Sequence, residues 1–141
     1  MPDAPAMTAA PHSFDDILSR LRDMRFAEDF DMIVAIANGG ILPAALLCER
    51  LGLEVNVLRV NWRAPDNLPC RPAPTLLRQP DFEFSGRRIL LADDRVKTGA
   101  TIAFVRQLLA PAALVRTFAI NGKADYAIYD EPCFPMPWRL G

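Results

Sequence analysis

The chain of 141 residues is poor in histidine and cysteine, two side chains that many catalytic and metal sites use. It contains one histidine, His12, which argues against a His-based catalytic triad and a His-ligated metal. Its three cysteines, Cys48, Cys70 and Cys133, are odd in number and form no C-x-x-C pair. They indicate neither a disulfide framework nor a zinc site, and they are typical of a reducing compartment.

Long apolar runs and a large net charge are also missing. No apolar run approaches the roughly 20 residues of a membrane helix, and the formal net charge of -1 gives no support for nucleic-acid binding. Residues 1–12 are rich in proline and alanine but do not resemble a signal peptide. We expect a cytoplasmic protein without a membrane or nucleic-acid partner, consisting of a disordered tail (1–12) and a single domain (13–141).

Apolar residues recur in patterns that alternate between helix and strand along the chain. Helical spacing predicts helices over about 14–26, 41–51 and 100–109, and apolar runs predict strands over 31–37, 54–61, 89–92 and 114–120. Strands that alternate with helices at this spacing predict an α/β fold with a doubly wound parallel sheet. Ligands of such sheets bind outside the carboxyl ends of the strands.

The most informative segment is 89–101, with the sequence ILLADDRVKTGAT. Its four apolar residues predict a buried strand that ends in two acids, Asp93 and Asp94, and a turn then leads into a helix. Helix N-termini attract anions, so a ligand with vicinal hydroxyls and a phosphate, such as a sugar 5-phosphate, would satisfy both halves. The alternative is that the acids only end the strand and Thr98 caps the helix. Capping explains one polar residue well but a pair of acids poorly.

This segment resembles the phosphoribosyl-pyrophosphate (PRPP) signature of type I phosphoribosyltransferases. The resemblance implies that Asp93 and Asp94 accept hydrogen bonds from the ribose hydroxyls. It implies that Asp94 and Lys97 are the candidate catalytic residues and that Asp94 is the candidate Mg²⁺ ligand. The 5-phosphate would be held by the turn, which consists of Lys97, Thr98, Gly99, Ala100 and Thr101. The implied partners are PRPP, pyrophosphate, a nucleobase and a second copy of the chain in a homodimer.

A second segment, Asn38-Gly39-Gly40, resembles the pyrophosphate loop of the same family. Glycines there let backbone amides approach a diphosphate closely, although they could also simply turn a strand into a helix. Many members carry a basic residue where this chain has Asn38, so the charge would have to come from Mg²⁺ and from arginines elsewhere. Segment 61–85, in the place of the mobile catalytic loop, is either a lid or a passive loop, and it offers Arg63, Arg71 and Arg78.

The C-terminal segment 121–138 resembles the short hood of the xanthine–guanine branch, and its candidate base contacts are Lys123, Cys133 and Phe134. It departs from that branch at Cys133, where an aromatic commonly stacks on the base. A further departure is Lys97, at a position that is often Asp in 6-oxopurine enzymes. A lysine cation cannot accept a hydrogen bond, so Lys97 suits an acceptor-rich or anionic group, or simply phosphate. Trp138 fits the core as well as it fits a base contact.

Together the segments predict a Mg²⁺-dependent phosphoribosyltransferase that moves ribose 5-phosphate between PRPP and a nucleobase, with pyrophosphate as co-product. The alternative is a PRPP- or nucleotide-sensing binding protein that kept the site and lost turnover, which Asn38, Lys97 and Cys133 favour. Intact Asp93, Asp94, Gly39 and Gly40 favour an enzyme, because a sensor need not keep the diphosphate turn. A third interpretation is an α/β scaffold with a vestigial site.

Overall fold

The computed structural model describes residues 11–61, 75–76 and 78–140, and it confirms the predicted α/β fold. Three helices are present in these residues: α1 (Phe14–Asp23), α2 (Ile41–Leu51) and α3 (Ala100–Leu108). The six strands are β1 (Met32–Ala37), β2 (Val55–Asn61), β3 (Thr75–Leu76), β4 (Arg88–Val96), β5 (Leu114–Gly122) and β6 (Tyr126–Tyr129). They form one sheet in the order β3-β2-β1-β4-β5-β6. All neighbouring strands pair in parallel except β3, which is antiparallel to β2.

The strand order places a topological switch point between β1 and β4. From β1 the chain passes through α2 to β2 on one side, and it later returns to β4 on the other side of β1. Pairing between β1 and β4 ends at Ala35 opposite Ala92, whereas β4 continues to Val96 beside β5 alone. The last residues of β4, including both acids, therefore border an open crevice at the ligand-binding edge of the sheet.

Two apolar layers cover the sheet, as the uninterrupted apolar strands predict for a parallel sheet. On one face, α1 and α2 contribute Ile17, Leu21 and Leu47 to a buried cluster with Phe118 and Phe134. On the other face, Val105 of α3 and the adjacent Leu109 pack with buried residues of β1, β2 and β4. No helix in the described part of the chain is long and apolar enough to cross a membrane.

Three predicted elements end two or more residues away from their predicted ends, each for a local reason. Helix α1 begins where Ser13 Oγ accepts a hydrogen bond from the Asp16 amide at 3.0 Å, but it ends at Asp23 because Met24 adopts an extended conformation. Strands β4 and β5 extend to Val96 and Gly122, because they continue to pair with each other beyond the apolar runs. Strand β6, which the sequence did not predict, follows β5 after a turn in which Asp125 accepts from the Thr117 amide at 2.8 Å.

Residues 1–10, most of the predicted tail, lie outside the described residues. His12 is described, and its ring stacks on Tyr129 with 3.8 Å between centroids. Its Nε2 lies 2.7 Å from a carboxylate oxygen of Glu131, and its Nδ1 lies 3.7 Å from Asp16. The residue that the sequence assigned to the tail therefore joins α1 to the segment after β6.

Candidate active site

One cavity of about 320 Å³ brings Asp93 together with the predicted phosphate turn. Its walls consist of Asp93 and the continuous segment from Arg95 to Ile102, which covers the end of β4, the turn and the start of α3. Asp94 does not line this cavity, since successive side chains of a strand point to opposite faces. The sequence motif predicts one shared role for the two acids, but in the structure their side chains face different surroundings.

The turn has the backbone geometry of an anion-binding helix start. Gly99 is the N-cap of α3, with a left-handed φ of 82°, a conformation that favours glycine. The first α3 hydrogen bond runs from the Ala103 amide to the Gly99 carbonyl at 2.9 Å, so the preceding amides of α3 lie outside the helical ladder. Thr98 Oγ1 accepts from the Ala100 amide at 3.2 Å, which is the local capping role of the alternative interpretation. Its hydroxyl proton is still available to a ligand.

The surroundings of Asp93 disfavour its ionised form. Burial and the neighbouring charge of Asp94 raise the pKa of Asp93 to about 8. One of its oxygens accepts a hydrogen bond from the Asp94 amide at 2.8 Å, which compensates only part of this cost. A ligand that donates hydroxyl protons, or a cation, would stabilise the carboxylate form.

Asp94 contacts the other predicted segment, the loop after β1. A Cβ added to Gly39 would lie 2.6 Å from Asp94 Oδ1, closer than real Cβ atoms approach. A Cβ on Gly40 would lie 2.2 Å from the Ala92 carbonyl oxygen. Neither glycine has a positive φ, so close approach to β4, and not the turn conformation, is what requires them. The peptide bond between Ala37 and Asn38 in this loop is cis.

A cation that the sequence motifs do not single out lies beside this loop. Arg59 of β2 pairs in register with Ala37, and its Nη1 donates to Asn38 Oδ1 at 3.1 Å. The signal was available, because Arg59 lies near the carboxyl end of a strand predicted to be parallel to the first. Arg59 and Arg78 also line a polar cavity of about 290 Å³. Arg63 and Arg71 lie outside the described residues.

A further cavity, of about 220 Å³, lies on the hood side of this edge. It is lined by both lysines of the chain and by Cys133. Arg95, Asn121, Asp130 and Glu131 also contribute to its walls. Lys123 Nζ donates to Asp130 at 3.1 Å, and both side chains are well exposed. Exposed Lys97 also lines the phosphate-turn cavity, so it lies between the two predicted subsites.

Phe134, a candidate base contact, is fully buried and packs in the core instead of lining that cavity. Its ring lies edge-on to Tyr129 at 5.3 Å and to His12 at 4.6 Å between centroids. Its carbonyl accepts from Arg95 Nη2 at 3.0 Å, which ties the hood to the end of β4. Trp138 is half-buried, contacts the core and borders a cavity that also includes Asp94.

The donor set fits a magnesium ion only in partnership with a substrate. Within the described residues, no group of three or more His, Cys, Asp or Glu side chains could hold a metal ion. Mg²⁺ is commonly bound by one or two carboxylates together with substrate phosphates and water. Asp94, which lies against the loop after β1, offers one carboxylate of that pattern.

Comparison with known proteins gives the family. Residues 8–123 match the model of the phosphoribosyl transferase domain. A xanthine-guanine phosphoribosyltransferase from Idiomarina loihiensis is 31% identical over 93 residues, which are 66% of this chain and 57% of that protein. The match thus spans less than two thirds of this relative's length.

Two solved structures share the fold at low sequence identity. A purine phosphoribosyltransferase from Pyrococcus horikoshii Ot3 has a TM-score of 0.71 at 19% identity, covering 94% of this chain and 95% of its own. A hypothetical protein from Neisseria gonorrhoeae with bound ppGpp has a TM-score of 0.73 at 17% identity, covering 92% and 88%. Together with the family match over most of its length, these findings show that the chain belongs to the type I phosphoribosyltransferase family.

Proposed function

We propose that this chain transfers ribose 5-phosphate between PRPP and a nucleobase, with pyrophosphate as co-product and Mg²⁺ as cofactor. The observation that carries the proposal is the contact between the two predicted segments at the switch point. Gly39 lies against Asp94, while Asp93 shares a cavity with the 97–101 turn. A diphosphate on the loop and a 5-phosphate on the turn would thus flank a ribose placed at the two acids.

The reaction joins a ring nitrogen of the base to C1 of the ribose. The C1–O bond to pyrophosphate breaks, its electron pair leaves with pyrophosphate, and the proton of the attacking nitrogen is released. Catalysis in such a site is mainly positioning and electrostatic stabilisation. Asp93 and Asp94 would orient the ribose through its hydroxyls, the 97–101 turn would fix the 5-phosphate, and Asn38, Gly39 and Gly40 would receive the pyrophosphate.

Asp94, beside the loop, is the residue that would hold Mg²⁺ together with the diphosphate of the substrate. Bound there, the ion would neutralise charge on the departing pyrophosphate. Lys97 would add positive charge between the 5-phosphate turn and the hood cavity. Lys123 and Cys133, on the hood side of that cavity, would contact the base.

The family resemblance also leads us to propose a homodimer and a cytoplasmic location. Sedimentation of the purified chain would test the first, and fractionation of cells that express it would test the second.

The second candidate function is a binding protein for PRPP or a nucleotide, without turnover. Lys97 supports it, because a cation occupies a position from which an acid often contacts the base in 6-oxopurine enzymes. Cys133 supports it too, because it cannot stack on a base as an aromatic would. The tight packing of Gly39 and Gly40 against β4 favours the enzyme, since binding of ribose and 5-phosphate alone would not need that loop.

A screen for PRPP-dependent pyrophosphate release over purine and pyrimidine bases separates the two functions. Release with at least one base supports the enzyme, whereas PRPP binding without release with any base supports the binding protein. If calorimetry shows no PRPP binding and the screen shows no pyrophosphate release, both proposed functions are contradicted.

The double variant Asp93→Asn/Asp94→Asn tests the site itself. It preserves shape but removes charge-assisted acceptors, which contribute about 1.5–3 kcal/mol per hydrogen bond. We expect the PRPP dissociation constant to rise tenfold or more in calorimetry. The matched control is Asp15→Asn/Asp23→Asn, which removes two exposed acids of α1 and should leave the constant unchanged. Equal constants for all three proteins would refute the assignment of both acids.

A further inference from the structure

We propose that Arg59 binds pyrophosphate and replaces, from the neighbouring strand, the positive charge that the loop after β1 lacks. The inference rests on the proposed function, because it concerns the diphosphate subsite of that same site. It assigns a binding role to a residue of β2 that lies outside both the loop and segment 61–85.

The geometry places the guanidinium of Arg59 at the loop. Arg59 is opposite Ala37 in the parallel pairing of β1 and β2, so its position is fixed by the sheet. Its Nη1 donates to Asn38 Oδ1 at 3.1 Å. A guanidinium has five N–H donors in a planar fork, and this bond uses one of them. The remaining donors suit phosphate oxygens, which guanidinium groups bind in a bidentate manner.

The distribution of charged side chains around the loop supports an anion-binding role for Arg59. Segment 37–41, with the sequence ANGGI, carries no charged side chain, although a diphosphate is highly anionic. Lys97 is on the other side of the switch point, at the 5-phosphate turn. Within the described residues, no carboxylate lies within ion-pair distance of Arg59, so its charge is not neutralised by the protein there. Arg78 and Asp81 line the same polar cavity.

Asn38 then has a specific role in place of a basic residue. Its side-chain oxygen orients the guanidinium, and its amide group keeps two N–H donors for a phosphate oxygen. The pair Asn38–Arg59 thus supplies a dipole and a charge from two strands, where many family members supply both from one side chain of the loop.

The test measures binding of inorganic pyrophosphate with Mg²⁺, and separately of ribose 5-phosphate, by calorimetry on the full chain. Arg59→Gln removes the charge but can still donate to Asn38, and we expect about tenfold weaker pyrophosphate binding with unchanged ribose 5-phosphate binding. Arg59→Lys keeps the charge without the fork and should fall between wild type and Arg59→Gln. Arg25→Gln is the matched control, because Arg25 is exposed and precedes β1 at the opposite edge of the sheet.

A rescue variant separates charge from local structure. Asn38→Arg in the Arg59→Gln background returns a basic residue to the loop, and it should recover most of the lost pyrophosphate affinity. Unchanged pyrophosphate binding in Arg59→Gln overturns the proposal while PRPP-dependent turnover of the wild type still supports the proposed function. Equal losses for pyrophosphate and ribose 5-phosphate show a merely structural role and also overturn it. A wild type that binds neither PRPP nor pyrophosphate overturns both proposals.

Discussion

The two sides of the candidate site are constructed in different ways. On the phosphate side, the loop after β1 and the segment formed by the end of β4 and the 97–101 turn are short and continuous, and the loop packs against β4 because parallel strands end at the same edge. Their closest contacts involve backbone, as at Gly40 and the Ala92 carbonyl. On the hood side, the segment after β6 is held by side chains from distant parts of the chain, including His12, whose Nε2 lies 2.7 Å from a carboxylate oxygen of Glu131.

This difference determines which contacts of the site tolerate substitution and which do not. A backbone contact such as that of Gly40 allows only glycine, whatever the ligand. A side-chain contact such as Arg95 to the Phe134 carbonyl, or the Tyr129 hydroxyl that donates to Asp16, can be exchanged for another packing solution. We therefore expect changes in the hood to affect stability and acceptor choice but not PRPP binding. Changes in the loop and turn should affect PRPP binding, and also stability where they press against backbone atoms.

The largest expected effect is loss of stability on the hood side. Phe134→Ala removes a fully buried ring that contacts Tyr129 and His12, and truncation of a buried phenylalanine costs about 3–5 kcal/mol. Urea unfolding should show this loss. Binding of ribose 5-phosphate by the remaining folded protein should stay within about twofold of wild type. A large loss of ribose 5-phosphate affinity, measured well below the unfolding midpoint, would mean that the two sides are not separable.

A slightly smaller effect should divide the two glycines of the loop. Gly40→Ala places a Cβ against the Ala92 carbonyl oxygen, a backbone atom that cannot move alone, so we expect a loss of about 2–4 kcal/mol. Gly39→Ala meets only the carboxylate of Asp94, which can rotate away. That variant should keep most of its stability and lose PRPP affinity. Thermal unfolding and PRPP calorimetry of both variants check the contrast, and equal stability losses would contradict it.

The same contrast explains how much the sequence could predict. Helix and strand periodicity predicted the parallel sheet and its ligand-binding edge, and the local patterns 89–101 and 38–40 placed the candidate binding residues at that edge. Other features depend partly on contacts between residues more than a hundred positions apart, such as His12 with Glu131. These features are strand β6, the burial of Phe134 and the packing of His12. No local periodicity encodes such contacts. Arg59 is an intermediate case, since finding it required the register of β2 beside β1.

A third prediction concerns the free energy of folding that is lost by burying Asp93 on the phosphate side when no ligand is bound. The pKa of Asp93 is about 8 in the folded chain, against an ordinary value of 3.8. Between these values the unfolded chain ionises and the folded chain keeps its proton, so stability falls as pH rises from about 4 to 8. Asp93→Asn cannot ionise and keeps an oxygen that accepts from the Asp94 amide. Without metal or ligand, we expect it to be about 1–3 kcal/mol more stable than wild type at pH 8.

Urea unfolding of both proteins with EDTA, at pH 5 and pH 8, checks this prediction. The stabilisation should be smaller at pH 5, where the wild-type folded state bears less of the cost. Asp15→Asn, at an exposed acid of α1, is the control, and it should show no comparable gain at either pH. A variant that is less stable than wild type at pH 8 would show that Asp93 is not strained in the free protein.

The smallest expected effect concerns Lys97. This side chain lines the cavity of the 97–101 turn and also the cavity that contains Cys133, so it lies where the phosphate side meets the hood side. Lys97→Asp restores the acid that 6-oxopurine enzymes often have there. If Lys97 faces the acceptor, the ranking of bases in the pyrophosphate-release screen should shift by several-fold towards hypoxanthine or guanine, with PRPP affinity reduced less. If Lys97 serves the 5-phosphate, PRPP affinity should fall and the ranking should stay the same. Lys97→Gln separates loss of the positive charge from its reversal, because glutamine is neutral whereas aspartate is an anion. Strong wild-type turnover of hypoxanthine or guanine would remove the premise, since a cation at this position would then not steer the acceptor away from these bases.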